Sequence, residues 1–327
     1  MKLLLRELGG NRMPNKLTGM KWLNEHIKQL EITTNQFNEI TREVAKINPK
    51  IYNEFQAWTP LKLVLLNYIL DVCSLIISNN IKNNKIFEKS YYIDLFAGSG
   101  LNKINSDYLI GSPLIGSLKY SNRFDSLFFC ENNLQLYNSL KKRLDFVNKN
   151  NVFSEYGDCN KCLSDIIKKI NHPKSYSFFF IDPHCMEFSW QSMTEVLKLR
   201  SDIVFTLMTS EIFRSIGLCK SGKSDGDYLT SFFGDESWRE INNYDALVEK
   251  YKSNILKSRQ NAIIEDIVVK SKKFNFCYHM IFITNQTKNG CPWTRAIKKA
   301  KEEIESNSDK SVELALEIVK KRQKTLF

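Results

Sequence analysis

The strongest constraint on the fold is a short apolar run that ends in an aspartate and continues into a turn with two glycines. The aromatic and β-branched residues of Tyr91–Ile93 are typical of a strand buried on both faces. Asp94 ends the run, and Gly98 and Gly100 follow closely. Glycine tolerates a positive φ and lets a ligand approach the backbone. The run therefore predicts an open α/β sheet with a ligand site beyond its carboxyl edge.

Three later strand-like runs also lead to an acidic residue. They reach Glu131, Asp158 after Gly157, and Asp182. Carboxyl ends of parallel strands meet at one edge of a sheet, so we expect these acids to converge with Asp94 on one site. For each acid alone, a turn or surface residue is the simpler explanation.

Strand and helix patterns alternate from residue 91 to residue 208, which predicts a parallel sheet. We expect strands at 91–96, 126–131, 152–156, 177–182 and 202–208, and helices from 113 and at 134–147, 160–170, 189–199 and 244–258. Two β-rich runs, Ala262–Lys270 and Phe274–Thr284, predict a closing antiparallel hairpin. The predicted fold class is α/β: a Rossmann-like, mostly parallel sheet with an antiparallel last strand.

The chain divides into three expected segments. These are a helical N-terminal extension at 1–57, the α/β domain at 58–290 and a C-terminal helical segment at 291–327. Apolar residues at helical spacing on one face between Leu61 and Ile76 predict a helix that packs on the sheet. Between the glycine turn and the helix start at Ser112, Leu101–Gly111 predicts a loop long enough to cover a ligand or contact a substrate.

Composition predicts a globular, cytoplasmic protein. Its 43% apolar content is enough for a core, no uninterrupted apolar run reaches the roughly 18 residues of a membrane span, and the first residues lack a signal peptide pattern. We therefore expect no membrane partner.

Eight cysteines are too sparse for a disulfide framework. Two interpretations of Cys159 and Cys162 are open: ligands of a metal or redox site, or thiols at the start of a helix. Because no further cysteine pair or histidine pair completes a zinc site, we expect thiols and no metal.

The positive charge is uneven. The net charge is +11, and residues 251–300 hold ten Lys or Arg against two acids. A phosphate-rich partner such as nucleic acid is therefore expected. A generally lysine-rich surface is the alternative.

The glycine turn favours an adenosyl cofactor without phosphates over a dinucleotide. A dinucleotide fingerprint needs a third glycine that brings a helix N-terminus onto the pyrophosphate, but position 103 is Lys103. S-adenosylmethionine carries a sulfonium and an amino group, and Asp94 would bind the amino group directly or through water. We expect Phe96, Gly98 and Gly100 to line this cofactor, Glu131 to accept both ribose hydroxyls, and Asp158 to bind the adenine amino group.

Together these motifs resemble a known family, the three-Cys-motif partner proteins (TcmP), which are similar to class I methyltransferases. The resemblance covers roughly Trp58 to Thr284 and rests on Trp58–Lys62, Ile93–Gly100, Gly111–Leu114, Glu131, Gly157-Asp158 and Phe180–Pro183. It implies a class I methyltransferase sheet, S-adenosylmethionine as cofactor and a cysteine-motif protein partner. The family usually has Asp-Pro-Phe-Gly where this chain has Asp182-Pro183-His184-Cys185.

The substrate side is expected at Asp182, Pro183 and His184. Methyltransferases that act on nucleobase amino groups place a related Asp/Asn-Pro-Pro-aromatic turn there. His184 would stack on a base, act as a general base near neutral pH, or be a turn residue only.

Three functions compete at this point. The leading hypothesis is an S-adenosylmethionine-dependent methyltransferase that acts on nucleic acid or a nucleotide-like substrate with a protein partner. The alternative is a catalytically inactive methyltransferase-like subunit that binds nucleic acid or the cysteine-motif partner. A Mg²⁺ nuclease is less favoured, because no Asp/Glu-x-Lys motif accompanies the strand-end acids.

Overall fold

A seven-stranded sheet forms the centre of the computed structural model, which describes residues 21–26, 34–54, 59–84, 86–104, 107–273, 275–286, 292–306 and 310–316. The strands are, in chain order, β1 (Asn53–Glu54), β2 (Lys89–Asp94), β3 (Leu101–Ile104), β4 (Asp107–Ile110), β5 (Ser126–Glu131), β6 (Val152–Tyr156), β7 (Ser175–Ile181), β8 (Ser201–Leu207), β9 (Ala262–Ser271) and β10 (Phe276–Asn285). The main sheet has the order β6-β5-β2-β7-β8-β10-β9, and a small sheet has the order β1-β3-β4.

Strand β2 lies at the centre of the main sheet. Ile93 is opposite Phe128 of β5 on one side and Phe179 of β7 on the other, and both pairings are parallel. Strand β10 runs antiparallel to both of its neighbours, β8 and β9. The predicted Rossmann-like sheet with an antiparallel last strand is therefore confirmed. Because the chain order reverses between β2 and β7, the crevice beyond their carboxyl ends is where such a sheet binds its ligand.

Helices cover both faces of the main sheet. They are α1 (Thr34–Lys46), α2 (Thr59–Asn79), α3 (Ser112–Ile115), α4 (Leu134–Val147), α5 (Cys159–Ile170), α6 (Trp190–Lys198), α7 (Thr209–Lys220), α8 (Asp227–Phe233), α9 (Tyr244–Ser258) and α10 (Pro292–Glu305). Successive strand residues point to opposite faces. Tyr92 and Phe180 thus pack with α2, α3, α4 and α10, whereas Ile93 and Phe179 pack with α5 to α9.

Helix α2 is buried on nearly its whole circumference, beyond the one-sided apolar stripe that the spacing predicted. The sheet covers one side of the helix. On another side, the centroid of the Tyr68 ring lies 5.2 Å from that of the Trp22 ring and 4.5 Å from that of the His26 ring. Among the described residues, Thr59–Asn83 is long and apolar enough to cross a membrane, but 78% of its apolar window is buried in the fold. This segment is therefore packed as a core helix.

The predicted loop between the glycine turn and α3 is instead a β-hairpin. Strands β3 and β4 pair antiparallel, and β1 pairs parallel with β3. Leu101, Leu109 and Ile110 are buried under the hairpin, and the Gly111 N–H donates to the Gly100 carbonyl at 2.7 Å across its base. The loop prediction was wrong because burial of these apolar residues against the core stabilises the paired strands.

Arg143 of α4 ties the N-terminal segment to the glycine turn. The side chain is fully buried, and burial lowers the pKa of its guanidinium to about 10. It donates hydrogen bonds to the carbonyls of Ser99 (2.7 Å), Ile51 (2.6 Å), Ile47 (2.9 Å), Val44 (3.4 Å) and Asn48 (3.4 Å). Residues 44–51 are thus held on the α/β domain, and the boundary at 57/58 stays a prediction.

The C-terminal segment packs against α2 and β9 through α10. A further helical stretch occupies 310–316, within the C-terminal helical segment expected at 291–327. Residues 317–327 of that segment lie outside the described residues. The boundary at 290/291 is also still a prediction.

Candidate cofactor and substrate site

Three of the four predicted acids meet at the carboxyl edge of the main sheet. Asp94 ends β2, Glu131 ends β5, and Asp182 directly follows β7. These strands are neighbours in the order β5-β2-β7, and the carboxyl groups of Asp182 and Glu131 are close enough to raise the pKa of Asp94. The sequence pattern therefore located a real cluster of carboxylates.

Asp94 is fully buried at the end of the central strand. Its Oδ1 accepts a hydrogen bond from the Phe96 N–H at 3.1 Å, whereas its Oδ2 has no hydrogen-bond partner among the described residues. Burial raises the pKa of Asp94 to about 7, although the nearby Ser112 hydroxyl and the Phe96 amide favour the ionised form. An ionised carboxylate at this position would be stabilised by a bound cation.

The glycine turn has already used most of its own N–H groups. Their acceptors are Asp94 Oδ1 for Phe96 (3.1 Å), the Cys130 carbonyl for Ala97 (2.9 Å), Glu131 Oε2 for Gly98 (2.8 Å) and Asn53 Oδ1 for Ser99 (2.9 Å). A pyrophosphate binds to free backbone N–H groups. From Phe96 to Ser99 the turn has none to offer, which agrees with a cofactor that lacks phosphates.

Both glycines of the turn have a left-handed backbone. The φ angles are 62° at Gly98 and 77° at Gly100. A Cβ on Gly98 would lie 2.2 Å from Asn53 Nδ2, and a Cβ on Gly100 would lie 3.2 Å from a Leu140 methyl carbon. The protein's own packing therefore accounts for both glycines, and the side chain beside Gly98 comes from the N-terminal segment. The predicted cofactor contact of Phe96, Gly98 and Gly100 stays a prediction.

Glu131 joins β5 to the glycine turn. It is 8% exposed, its Oε2 accepts the Gly98 N–H, and its Oε1 accepts the Asn133 N–H at 2.8 Å. Each carboxylate oxygen has a second lone pair. Glu131 therefore keeps the acceptor capacity that the predicted ribose contact needs.

Asp158 caps the N-terminus of α5. Its Oδ1 accepts hydrogen bonds from the N–H groups of Asn160 (3.0 Å) and Lys161 (3.3 Å). This is the ordinary structural role of an aspartate after a glycine. The predicted contact with an adenine amino group would use Oδ2.

Asp182 forms an ion pair with Lys62, to which the sequence analysis gave no role. Lys62 Nζ lies 2.6 Å from Oδ1 and 2.8 Å from Oδ2, and the Lys62 and Asp182 side chains are 10% and 20% exposed. The ammonium also lies 5.7 Å from the centroid of the buried Tyr278 ring. A lysine in the first turn of the most apolar helix was the signal that could have revealed this pair.

The remaining residues of the predicted substrate turn differ in exposure. Pro183 is buried, and the His184 side chain is exposed. The Cys185 N–H donates to Glu187 Oε2 at 2.7 Å, and the Glu187 carbonyl accepts from Asn160 Nδ2 at 2.9 Å. The turn after β7 is thus anchored to the start of α5, while His184 is left accessible to a ligand.

The segment after β8 is bonded to β10. Thr209 Oγ1 lies 2.7 Å from His279 Nδ1, and Ser210 Oγ donates to the Cys277 carbonyl at 3.1 Å. Burial lowers the pKa of His279 to about 4, so its imidazole is neutral. The start of α7 therefore has a structural role.

Part of the positive charge of the basic segment 251–300 is paired with acids. Lys252 pairs with Asp266 at 2.7 Å, Lys298 pairs with Glu265 at 3.3 Å, and Lys299 pairs with Glu303. Trp293, which lies in the same segment, is buried and donates from Nε1 to Thr284 Oγ1 at 3.1 Å. This region is less free to bind phosphates than its lysine count suggested.

The cysteines at the start of α5 are buried thiols. Cys159 and Cys162 are both buried and unoxidised. The Cys162 thiol and burial raise the pKa of the Cys130 thiol. Within the described part of the chain, no group of three or more His, Cys, Asp or Glu residues could hold a metal ion.

The strand order, the antiparallel last strand and the acid-glycine turn define a Rossmann-like fold of the class I methyltransferase type. No family model and no curated protein sequence match the chain.

Solved methyltransferase structures are similar to the fold at low identity. Trm1 from Pyrococcus horikoshii with S-adenosyl-L-methionine is 11% identical over 72% of this chain and 57% of that chain, with a TM-score of 0.37. The O-methyltransferase from Bacillus cereus in complex with SAH is 9% identical over 80% of this chain and 96% of that chain, with a TM-score of 0.43. TYW2 from M. jannaschii in complex with AdoMet is 13% identical over 63% and 74%, with a TM-score of 0.32. At this level of similarity, the ligand and substrate of this chain must be argued from its own residues.

Proposed function

We propose that the chain is an S-adenosylmethionine-dependent methyltransferase. The observation that carries the proposal is the buried Asp94 carboxyl. Its Oδ2 accepts no hydrogen bond from a described residue, although the Ser112 hydroxyl lies nearby, and the charged groups that shift its pKa are two further acids. A buried carboxylate without a partner is costly, and the usual response is a raised pKa, as found here. A ligand with a fixed positive charge and an ammonium group would offset that cost.

Three acids would hold the cofactor. Asp94 would bind the amino group, Glu131 would accept hydrogen bonds from the two ribose hydroxyls, and Asp158 would accept one from the adenine amino group. The glycine turn agrees with this assignment because its occupied N–H groups disfavour a phosphate-bearing ligand. Phe96, Gly98 and Gly100 would line the same space.

The nucleophile would lie against Asp182, Pro183 and His184. When bound, S-adenosylmethionine supplies an electrophilic methyl carbon, and the protein mainly has to hold the nucleophile in line with it. Asp182 would accept a hydrogen bond from an amine or hydroxyl, and Lys62 would fix the direction of that carboxylate. The exposed His184 would stack on a base or take up the released proton.

The proposed substrate is a nucleic acid or a nucleotide-like molecule, handled in the cytoplasm. The net charge of +11 supports a phosphate-rich partner. A three-Cys-motif protein is the proposed partner, on the sequence resemblance to TcmP alone.

The test is calorimetric titration of the purified protein with S-adenosylmethionine and S-adenosylhomocysteine. We expect binding by the wild type and by Asp125→Ala, which changes an exposed acid at the opposite edge of the sheet, and no binding by Asp94→Ala with an unchanged circular dichroism spectrum. Equal binding by Asp94→Ala would refute the site, and a wild type that binds neither ligand would refute the function.

One observation favours the inactive binding subunit as the second candidate. Lys62 engages both oxygens of Asp182, so this carboxylate is less available to a nucleophile than an unpaired one. Transfer of a labelled methyl group to RNA or DNA, with and without the partner, separates the candidates. Salt-sensitive nucleic acid binding without methyl incorporation would support the subunit.

A further inference from the structure

The Asn53 side chain lies directly on the glycine turn, although it belongs to the N-terminal segment. Its Oδ1 accepts the Ser99 N–H at 2.9 Å, and its Nδ2 is the atom nearest to the place where a Gly98 Cβ would be, at 2.2 Å. Strand β1 holds the residue there through its parallel pairing with β3, with Asn53 opposite Asn102. A side chain in this position borders any ligand that lies along the turn.

The orientation of the Asn53 carboxamide follows from its hydrogen bonds. An N–H needs an acceptor, so the atom facing Ser99 is Oδ1 and the opposite atom is the NH₂ group. Nδ2 donates to Asn102 Oδ1 at 3.4 Å, which is a long hydrogen bond. Since the N–H groups from Phe96 to Ser99 already have acceptors, Nδ2 is the described donor beside Gly98 that an anion could still use.

Arg143 fixes the position of the segment that carries Asn53. This buried guanidinium bonds both to the Ser99 carbonyl in the turn and to the Ile51 carbonyl, two residues before Asn53. The turn and the segment are therefore held by one rigid group. A donor held in this way loses little conformational entropy when a ligand binds.

We propose that Asn53 completes the cofactor site and that its Nδ2 donates to the α-carboxylate at the methionyl end of the cofactor. The proposal rests on the proposed function and adds a carboxylate subsite to it. Asp94, whose carboxylate is opposite in charge to the ligand's ammonium group, would bind the amino group of the same moiety. The N-terminal segment would then be part of the cofactor site.

The test compares two ligands that differ in the methionyl end. S-adenosylhomocysteine has the amino acid moiety, and 5′-methylthioadenosine lacks it. By calorimetry, we expect Asn53→Ala to lower the affinity for S-adenosylhomocysteine by about tenfold, the typical effect of losing a hydrogen bond to a charged group. The affinity for 5′-methylthioadenosine should change by less than about twofold. Asn53→Asp should weaken S-adenosylhomocysteine further because its carboxylate would repel that of the ligand.

Asn102→Ala is the matched control. It removes the neighbouring carboxamide of the same small sheet and should leave the ratio of the two affinities unchanged. Equal weakening of both ligands by Asn53→Ala, or tighter binding of S-adenosylhomocysteine, would overturn the Asn53 assignment while leaving the proposed function in place. If the wild type binds neither ligand, the proposed function fails and the subsite fails with it.

Discussion

Two buried aspartates lie at opposite edges of the same sheet and differ in their partners. Asp94 ends β2 at the carboxyl edge, and its Oδ2 has no partner. Asp202 lies near the start of β8 at the opposite edge, where its Oδ1 accepts from the Tyr176 hydroxyl at 2.8 Å and from the Thr284 hydroxyl at 2.6 Å. Burial raises both pKa values, to about 7 and about 6.

The contrast is between a carboxyl that we propose binds a ligand and one that has a structural role. The protein supplies hydroxyl donors to Asp202, and a further buried cation, Arg259, lowers its pKa. Asp94 receives the Phe96 N–H at Oδ1 and has the Ser112 hydroxyl nearby, but no cation lowers its pKa and two further carboxyl groups raise it. Burial alone therefore does not mark a ligand site; burial with incomplete compensation does.

The largest expected effect is on cofactor affinity. Asp94→Asn should weaken S-adenosylmethionine binding by about a hundredfold or more, because removing one partner of a buried charge pair typically costs 3 to 5 kcal/mol. Asp202→Asn should leave the affinity unchanged within about twofold, since it lies at the other edge. Calorimetry checks both variants, and similar losses in the two would remove the distinction.

The order should reverse for stability. Asp202→Ala leaves the Tyr176 and Thr284 hydroxyls without their acceptor, so we expect a loss of about 2 to 4 kcal/mol in the free energy of unfolding. Asp94→Ala removes an unfavourable buried carboxyl and should lose about 1 kcal/mol or less. Urea denaturation of the ligand-free proteins at pH 8 measures both. A larger loss in Asp94→Ala would mean that Asp94 is structural.

The pH dependence of binding gives the next effect. The folded pKa of Asp94, about 7, lies above its ordinary value of 3.8. The carboxyl is therefore protonated below pH 7, and S-adenosylmethionine should bind about tenfold more weakly for each pH unit below that value. Asp94→Asn should show a flat profile between pH 5 and 7. A flat wild-type profile would contradict the assignment.

The same shift predicts the sign of the stability change. Between pH 4 and pH 7, the folded protein binds a proton at Asp94 that the unfolded chain has released. The free energy of unfolding contributed by this group therefore falls as pH rises through that range. Asp94→Asn should make the fall less steep in thermal denaturation.

The smallest effect concerns Asp182, which has a full cation beside it. Lys62 is buried and the Asp182 side chain is 20% exposed, so solvent reaches one partner of the pair and we expect a coupling of about 1 kcal/mol. A double-mutant cycle with Lys62→Met and Asp182→Asn measures it. A coupling above about 3 kcal/mol would place this pair in the interior with Asp94 and Asp202.

Much of the fold followed from the sequence because strand and helix periods differ. The strands at 126–131 and 152–156 and the helices at 134–147 and 244–258 have the predicted bounds. The antiparallel end of the sheet was also predicted, from two adjacent β-rich runs. The β3–β4 hairpin was missed because its strands are only four residues long, and its pairing with Asn53–Glu54 joins segments far apart in the chain.

The candidate site followed only in part. Strand-end acids are visible because an acid after an apolar run is unusual, which located Asp94, Glu131 and Asp182. Their partners were not visible, since Lys62 lies 120 residues from Asp182 and Asn53 lies 46 residues from Ser99. No local pattern encodes such pairs, and the charge count of 251–300 likewise does not show which lysines pair with acids.

The five carbonyls around Arg143 have a consequence for folding. Four of them lie 92 to 99 residues before Arg143 in the chain. During synthesis, residues 44–51 can therefore form these hydrogen bonds only after α4 has been made. Closing so long a loop slows the formation of the glycine turn. A chain beginning at residue 59 would keep the whole main sheet, but would leave a buried guanidinium with the Ser99 carbonyl alone. Such a shortened chain should fold less readily than its intact sheet implies.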